Sequence, residues 1–165
     1  IDLPSRDVVF GDTLTDAQPL LRRFLGEASK DTGTIETFGA YGTCPGTDLR
    51  AFEYAGGALQ VLFGTLDGAT QMTFYAYTLT GLQGDASKAP RASALIGAAA
   101  TFDFGPGTTV TELQTGAGEA LELLPDEEPV GPAFRLTDQS SGFYGTLSSP
   151  TGIVTAVQAG QGCGE

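Results

Sequence analysis

Histidine is absent from this 165-residue chain. Its absence removes the commonest general base, and with it the usual Ser-His and Cys-His nucleophile pairs. The serines of "QSSG" (139–142) and "TLSSP" (146–150) have no lysine near them in sequence to take that role. No GxxxxGK[ST] loop occurs, and "FGPGTT" (104–109) lacks the lysine that would reach a phosphate. No apolar run approaches the roughly 18 residues of a membrane span. Basic residues are scarce as well: 8 Lys and Arg face 20 Asp and Glu, for a net charge of −12, and only Lys30 and Lys88 are lysines. Such a surface repels nucleic acid and anionic lipid and tolerates a cationic partner. The acidic, lysine-poor composition fits a secreted protein, a protein from a salty habitat or one from a high-GC genome. The chain starts Ile1-Asp2 without an initiator Met, as expected of a mature or trimmed chain.

Cysteine is nearly absent too. Cys44 sits in "GTCPG" (42–46) and Cys163 in "GQGCGE" (160–165). Both neighbourhoods read as exposed turns, where free thiols are a liability, so an oxidised pair is expected over two free thiols. Two cysteines without histidine cannot supply a usual zinc ligand set, and nothing in the sequence asks for a cofactor.

What is abundant is glycine, 24 residues, with 9 prolines, alongside a hydrophobic fraction of 41%. That mixture suggests one domain of many short elements separated by turns. Two stretches share a pattern: "GDTLTDA" (11–17) and "GTTVTEL" (107–113). Each places a threonine three residues before an acid, Thr13 before Asp16 and Thr109 before Glu112. That spacing suits a helix start, where the hydroxyl caps an orphan N–H and the acid complements the dipole. The first helix should present Ala17, Leu20, Leu21, Phe24 and Leu25 as its apolar stripe and stop at Gly26. Pro19 is tolerable there if Thr15 or Asp16 is the cap. The second helix should be short, because Gly116 and Gly118 interrupt it.

Strands are expected after each helix. "LRAFEYAGGALQVLF" (49–63) reads as a hairpin about Gly56-Gly57, and "MTFYAYTL" (72–79) as a third strand. In the second half the candidates are 120–124, 133–137, 142–147 and 153–158. Residues 81–99 read as a connector. The expected architecture is therefore α+β: one domain of two similar halves, about 8–80 and 100–158. Each half is a short capped helix followed by antiparallel strands, and the Cys44–Cys163 bond clips the two together.

Carboxylates are the remaining chemistry. Asp126, Glu127 and Glu128 stand between prolines in "PDEEP" and read as a solvated turn between two strands, or else as a place for calcium or a cationic partner. No DxDxDG spacing supports calcium. Asp12 and Asp16 read as capping acids. The aromatics suggest more. Period 2 in 72–79 puts Tyr75 and Tyr77 opposite Met72, Phe74 and Ala76. Arg50, Phe52 and Tyr54 make a second row. Tyr and Arg are enriched as interface anchors, so Arg50, Tyr54, Tyr75 and Tyr77 are the candidate binding face, against the plainer reading of half-buried strand residues.

Through "FGDTLTDAQPLLRRFLG" (10–26), "YGTCPGTDLRAFEYAGGALQVLFG" (41–64), "GTTVTEL" (107–113) and "AGQGCGE" (159–165) the chain resembles a class of secreted actinobacterial domains without established activity. That resemblance implies an extracellular or cell-envelope location and a disulfide. The two helix starts are also similar to the architecture of the β-lactamase inhibitor protein family, whose tandem helix-plus-sheet repeats bind partners on an aromatic-rich concave sheet. That family carries one disulfide per repeat, and this chain has a single cysteine pair and no tryptophan. The reading is a secreted or envelope non-catalytic binding module acting on a protein or envelope component. The alternatives are an inhibitor of a secreted enzyme and a carboxylate-based hydrolase. In the chain-entropy model a loop this long makes the cysteine pair worth roughly 4–5 kcal/mol. Cys163→Ala should therefore lower the stability measured by urea unfolding by about that amount.

Overall fold

The computed structural model of the chain describes residues 8–39, 41–81, 92–96, 100–127, 131–137, 142–161 and 163. Helix α1 spans Leu14–Leu25, with Thr13 as its cap: the Thr13 side chain accepts a hydrogen bond from the Asp16 N–H. At the other end Gly26 takes φ 84° and donates its N–H to the Arg22 carbonyl. Helix α2 spans Val110–Ala117 behind Thr109, which forms a full capping box with Glu112. The Thr109 side chain accepts from the Glu112 N–H, while the Glu112 carboxylate accepts from the Thr109 N–H at 2.8 Å. These helices begin where a short polar side chain can replace a missing intrahelical partner. Pro19 lies two or three positions further into α1 than a cap at Thr15 or Asp16 would put it, because the cap is Thr13. Thr15 and Pro19 both face solvent, so water can satisfy the carbonyl that the proline leaves without its N–H.

The chain divides into two compact units, one of residues up to Tyr77 together with those from Gly160 onward, the other Thr78–Ala159. The first contains α1 and strands β1 (Lys30–Asp31), β2 (Ile35–Gly39), β3 (Gly42–Tyr54), β4 (Leu59–Gly64) and most of β5 (Thr73–Thr80). β1 and β2 pair in turn along one edge of the long β3, β4 pairs with its other edge, and β5 follows β4. The hairpin expected about Gly56-Gly57 is present: β3 and β4 join through a tight turn at Ala55–Gly57, all three residues with positive φ. The strand register sets Arg50 opposite Phe63, Phe52 opposite Val61 and Tyr54 opposite Leu59. On this face an aromatic chain runs Tyr54, Phe52, Phe63, Phe74, with neighbouring ring centroids 5.7–6.5 Å apart.

The second unit contains α2 and strands β6 (Ala92–Ile96), β7 (Ala100–Phe104), β8 (Leu121–Glu127), β9 (Gly131–Leu136), β10 (Tyr144–Leu147) and β11 (Val154–Gly160), the last passing into the first unit at its final residue. β6 and β7 form an antiparallel pair of their own. The other four lie in the order β8, β9, β10, β11, with antiparallel pairing between β8 and β9, β9 and β10, and β10 and β11. Phe104 is fully buried and meets Phe134 and Phe143 edge-on at 6.1 and 5.3 Å. Two glycines make room for rings: a Cβ at Gly116 would strike Phe102, and a Cβ at Gly145 would strike Phe134, its direct cross-strand partner.

The fold is α+β, with two α-helices and mostly antiparallel strands among the described residues and one disulfide, Cys44–Cys163. Three expectations change. The connector read over 81–99 includes a strand, β6, which pairs with β7. Strands β1 and β2 carry no apolar run that would announce them; their pairing with β3 makes them strands. The disulfide does not clip two halves together, since Cys163 and Cys44 belong to the same unit. Cys44 also lies within β3 and is 5% exposed, so it is not in a surface turn.

Gly145→Ala should destabilise the protein by about 1–3 kcal/mol, because the added methyl has no space under the Phe134 ring. Gly68→Ala tests the other glycine effect: its Cβ meets no atom within 4 Å, but φ is 79°, so any loss there reflects backbone strain alone. Paired urea titrations of the two variants separate crowding from strain.

Candidate functional site

The residues expected to form a binding face do not form one exposed surface. Tyr54, Tyr75 and Tyr77 are 1, 4 and 8% exposed, and only Arg50 reaches solvent. The reason lies partly in β5, which is covered on both faces: Phe74, Tyr75, Ala76 and Tyr77 are all buried. Tyr75 and Ala76 both join the buried cluster of Cys44, Leu49, Ala51 and Leu62. Phe74 and Tyr77 instead both pack on Phe10, with centroids 4.8 and 6.1 Å away. The two tyrosines expected side by side therefore enter different packing groups, and neither remains a surface anchor.

Arg50 is held in place. Its Nε and terminal nitrogen donate to the two Asp31 carboxylate oxygens at 2.9 and 2.6 Å, and its guanidinium lies 5.0 Å from the Phe52 ring centroid. The guanidinium holds the Asp31 carboxyl below its ordinary range, with help from the Gly33 N–H and against partial burial. A fork of this kind fixes a side chain more than it attracts a ligand. In the second unit, Arg135 Nε donates to one Glu122 carboxylate oxygen across β9 and β8, at 2.6 Å. Lys30 bonds Glu53 at 3.1 Å and hangs over the Tyr41 ring. Glu53 first, then Tyr41, raises the Lys30 ammonium above its usual range.

Two surface features remain. The first is the β2–β3 hairpin. Phe38 is 77% exposed there, far more than any other large apolar side chain among the described residues. Along β2, Ile35 and Thr37 are half-buried while Glu36 and Phe38 are exposed, so an aromatic stands in the polar row. Glu36 lies directly opposite Asp48, two like charges facing across the pair, an arrangement that opposes pairing in the free strand. The signal was legible: in "IETFG" the period of 2 puts Phe38 in register with Glu36. The second feature is an open depression along α1 lined by Gln18, Pro19, Arg22, Arg23, Gly26 and Glu27. Its charges are already engaged: Arg22 pairs with Glu27, and Arg23 lies over Phe24. Both arginines also complement the negative end of the helix dipole.

Asp126 and Glu127 close strand β8, and Glu128 lies outside the described residues. Asp12 accepts from the Val9 N–H, and Asp16 stands in the first turn of α1, hydrogen-bonded to Thr13. Among the described residues no group of three or more acidic or cysteine side chains is placed to hold a metal ion, and no helix is long and apolar enough to cross a membrane. The chain matches no family model, no curated protein and no solved structure.

Burial pushes the Tyr75 hydroxyl up to about 12. Burial, with the carboxylates of Asp31 and Glu27, does the same to Tyr54, also to about 12. These are acids that the fold keeps neutral, which sets the sign. Below pH about 10 both states hold the proton and neither residue contributes a pH dependence. As pH rises past that point the unfolded chain ionises first, and stability falls until the folded tyrosines ionise near 12. Urea unfolding across this range should show the decline, and Tyr54→Phe and Tyr75→Phe should each flatten it.

Proposed function

We propose that the protein is a non-catalytic binding module of the cell envelope or extracellular space, and that it engages its partner through the β2–β3 hairpin. The observation that carries this reading is Phe38, 77% exposed at a strand position where the neighbouring outward residue is an acid. An aromatic held in water gains most when a partner covers it. The acidic surroundings and the net charge of −12 suit a partner with a basic rim. A cysteine pair joined as a disulfide supports an oxidising compartment.

The two similar halves belong to the same proposal. In the first unit, Gly11 N–H donates to Phe74 O, Phe74 N–H to Asp12 O, and Leu14 N–H to Met72 O. In the second, Gly107 N–H donates to Val154 O, Val154 N–H to Thr108 O, and Val110 N–H to Gly152 O. The glycines leading in have φ 95° and 91°. Each half further carries an Arg–acid pair between neighbouring strands, Arg50 with Asp31 and Arg135 with Glu122. Matching bonds at matching offsets support descent from one duplicated helix-plus-sheet element. They also favour the second reading, a proteinaceous inhibitor of a secreted enzyme built on tandem repeats.

Pull-down from native culture medium or envelope, read by mass spectrometry, tests the module. Wild type should retain a partner that Phe38→Ser loses, while Leu25→Ser, at another exposed apolar site, keeps it. Equal capture by all three proteins would remove the hairpin as the binding element. Inhibition of a panel of secreted hydrolases by wild type and not by Phe38→Ser would select the inhibitor reading.

A further inference from the structure

We infer that the Cys44–Cys163 bond is a thiol-responsive latch, which a dithiol reductant opens in the folded protein to free the segment after β11 from the first unit. Among the described residues of that segment, Gln161 and Cys163, three attachments are seen: the Gln161 N–H on the Tyr75 carbonyl at 3.0 Å, the disulfide, and the contact of the Tyr75 hydroxyl with Cys163 Sγ at 3.6 Å. Gly160, with φ 90°, turns the chain past Tyr75 and Phe10 at a point where no Cβ would fit. Two of the three attachments pass through Cys163.

The two sulfurs differ in access. Cys44 is 5% exposed inside the cluster of Leu49, Ala51, Leu62, Tyr75 and Ala76, whereas Cys163 is half-buried at its edge. A thiolate of the reductant therefore attacks Cys163 Sγ, the S–S bond breaks, and Cys44 leaves as a thiolate that takes up a proton. The reductant's second thiol, as its thiolate, then attacks the reductant sulfur of the mixed disulfide. Cys163 departs as a thiolate and is protonated, and the reductant is left oxidised as an internal disulfide after giving two electrons. Both product thiols have partners in place: the Tyr41 carbonyl lies 3.7 Å from Cys44 Sγ, and the Tyr75 hydroxyl lies beside Cys163. Opening the bond thus leaves no buried thiol without a hydrogen-bonding neighbour, and the aliphatic cluster under Cys44 keeps its packing. What is lost is the tether.

Dithiothreitol treatment of the folded protein, followed by alkylation, circular dichroism and amide hydrogen exchange, tests the latch. Both cysteines should be alkylated while the circular dichroism of the fold is kept. Exchange at Gln161 should rise at least tenfold, while the core amides of Ala51 and Leu62 rise only as far as the lower global stability sets and stay far better protected than Gln161. The double variant C44S/C163S should reproduce that exchange pattern without reductant. Alkylation only in denaturant, or loss of the native circular dichroism on reduction, or Ala51 and Leu62 becoming no better protected than Gln161, would overturn the inference.

Discussion

Everything in this fold depends on how each helix is entered. A threonine ends an extended stretch and starts a helix, and its side chain replaces the hydrogen-bond partner that the first turn lacks. The backbone on both sides of that threonine is bonded to residues at or just before the start of a strand that comes much later in the chain, Met72 and Phe74 near β5 for α1, Gly152 and Val154 near β11 for α2. A local capping motif is thereby coupled to a long-range strand contact. A cap alone contributes about 1 kcal/mol; here the same few residues also place the helix on its sheet.

Around these joints the packing is aromatic. The first unit strings Tyr54, Phe52, Phe63 and Phe74 along one face, and the second gathers Phe134 and Phe143 about Phe104. Rings of this size need small neighbours, which accounts for some of the glycine content. Gly145 and Gly116 lie beneath rings, and other glycines, such as Gly26, serve as turn residues at positive φ. Close packing of this kind leaves little freedom to add even one methyl group.

The surface follows a different logic. Arginine and lysine side chains that look available in the sequence are tied to carboxylates on adjacent strands: Arg50 to Asp31, Arg135 to Glu122, Lys30 to Glu53. The tyrosines that look like anchors are buried. Phe38 remains, an apolar ring on a short hairpin with two acids close by in the pairing. A binding role for that hairpin and a releasable segment beside Tyr75 rest on separate observations, one on exposure and the other on sulfur access.

The amino-acid sequence by itself determined the helix starts, the stop at Gly26, the turn at Gly56-Gly57, most strands and the pairing of the two cysteines. Each of these follows from interactions between residues a few positions apart, or from there being only two thiols to join. Tertiary structure alone decided the rest. β1 and β2 exist because β3 offers them an edge, a contact about 20 residues distant at Lys30 and Glu53. The tyrosine row was lost because β5 is buried at four successive residues, Phe74 to Tyr77, so both of its faces are covered by chain that arrives from elsewhere in the sequence. The disulfide's place was decided the same way. Spacing shows that Cys44 and Cys163 can meet, but the return of the chain to the first unit at Gly160 determines what their bond holds. Local preferences choose elements, whereas burial is a property of whatever distant chain arrives to cover them.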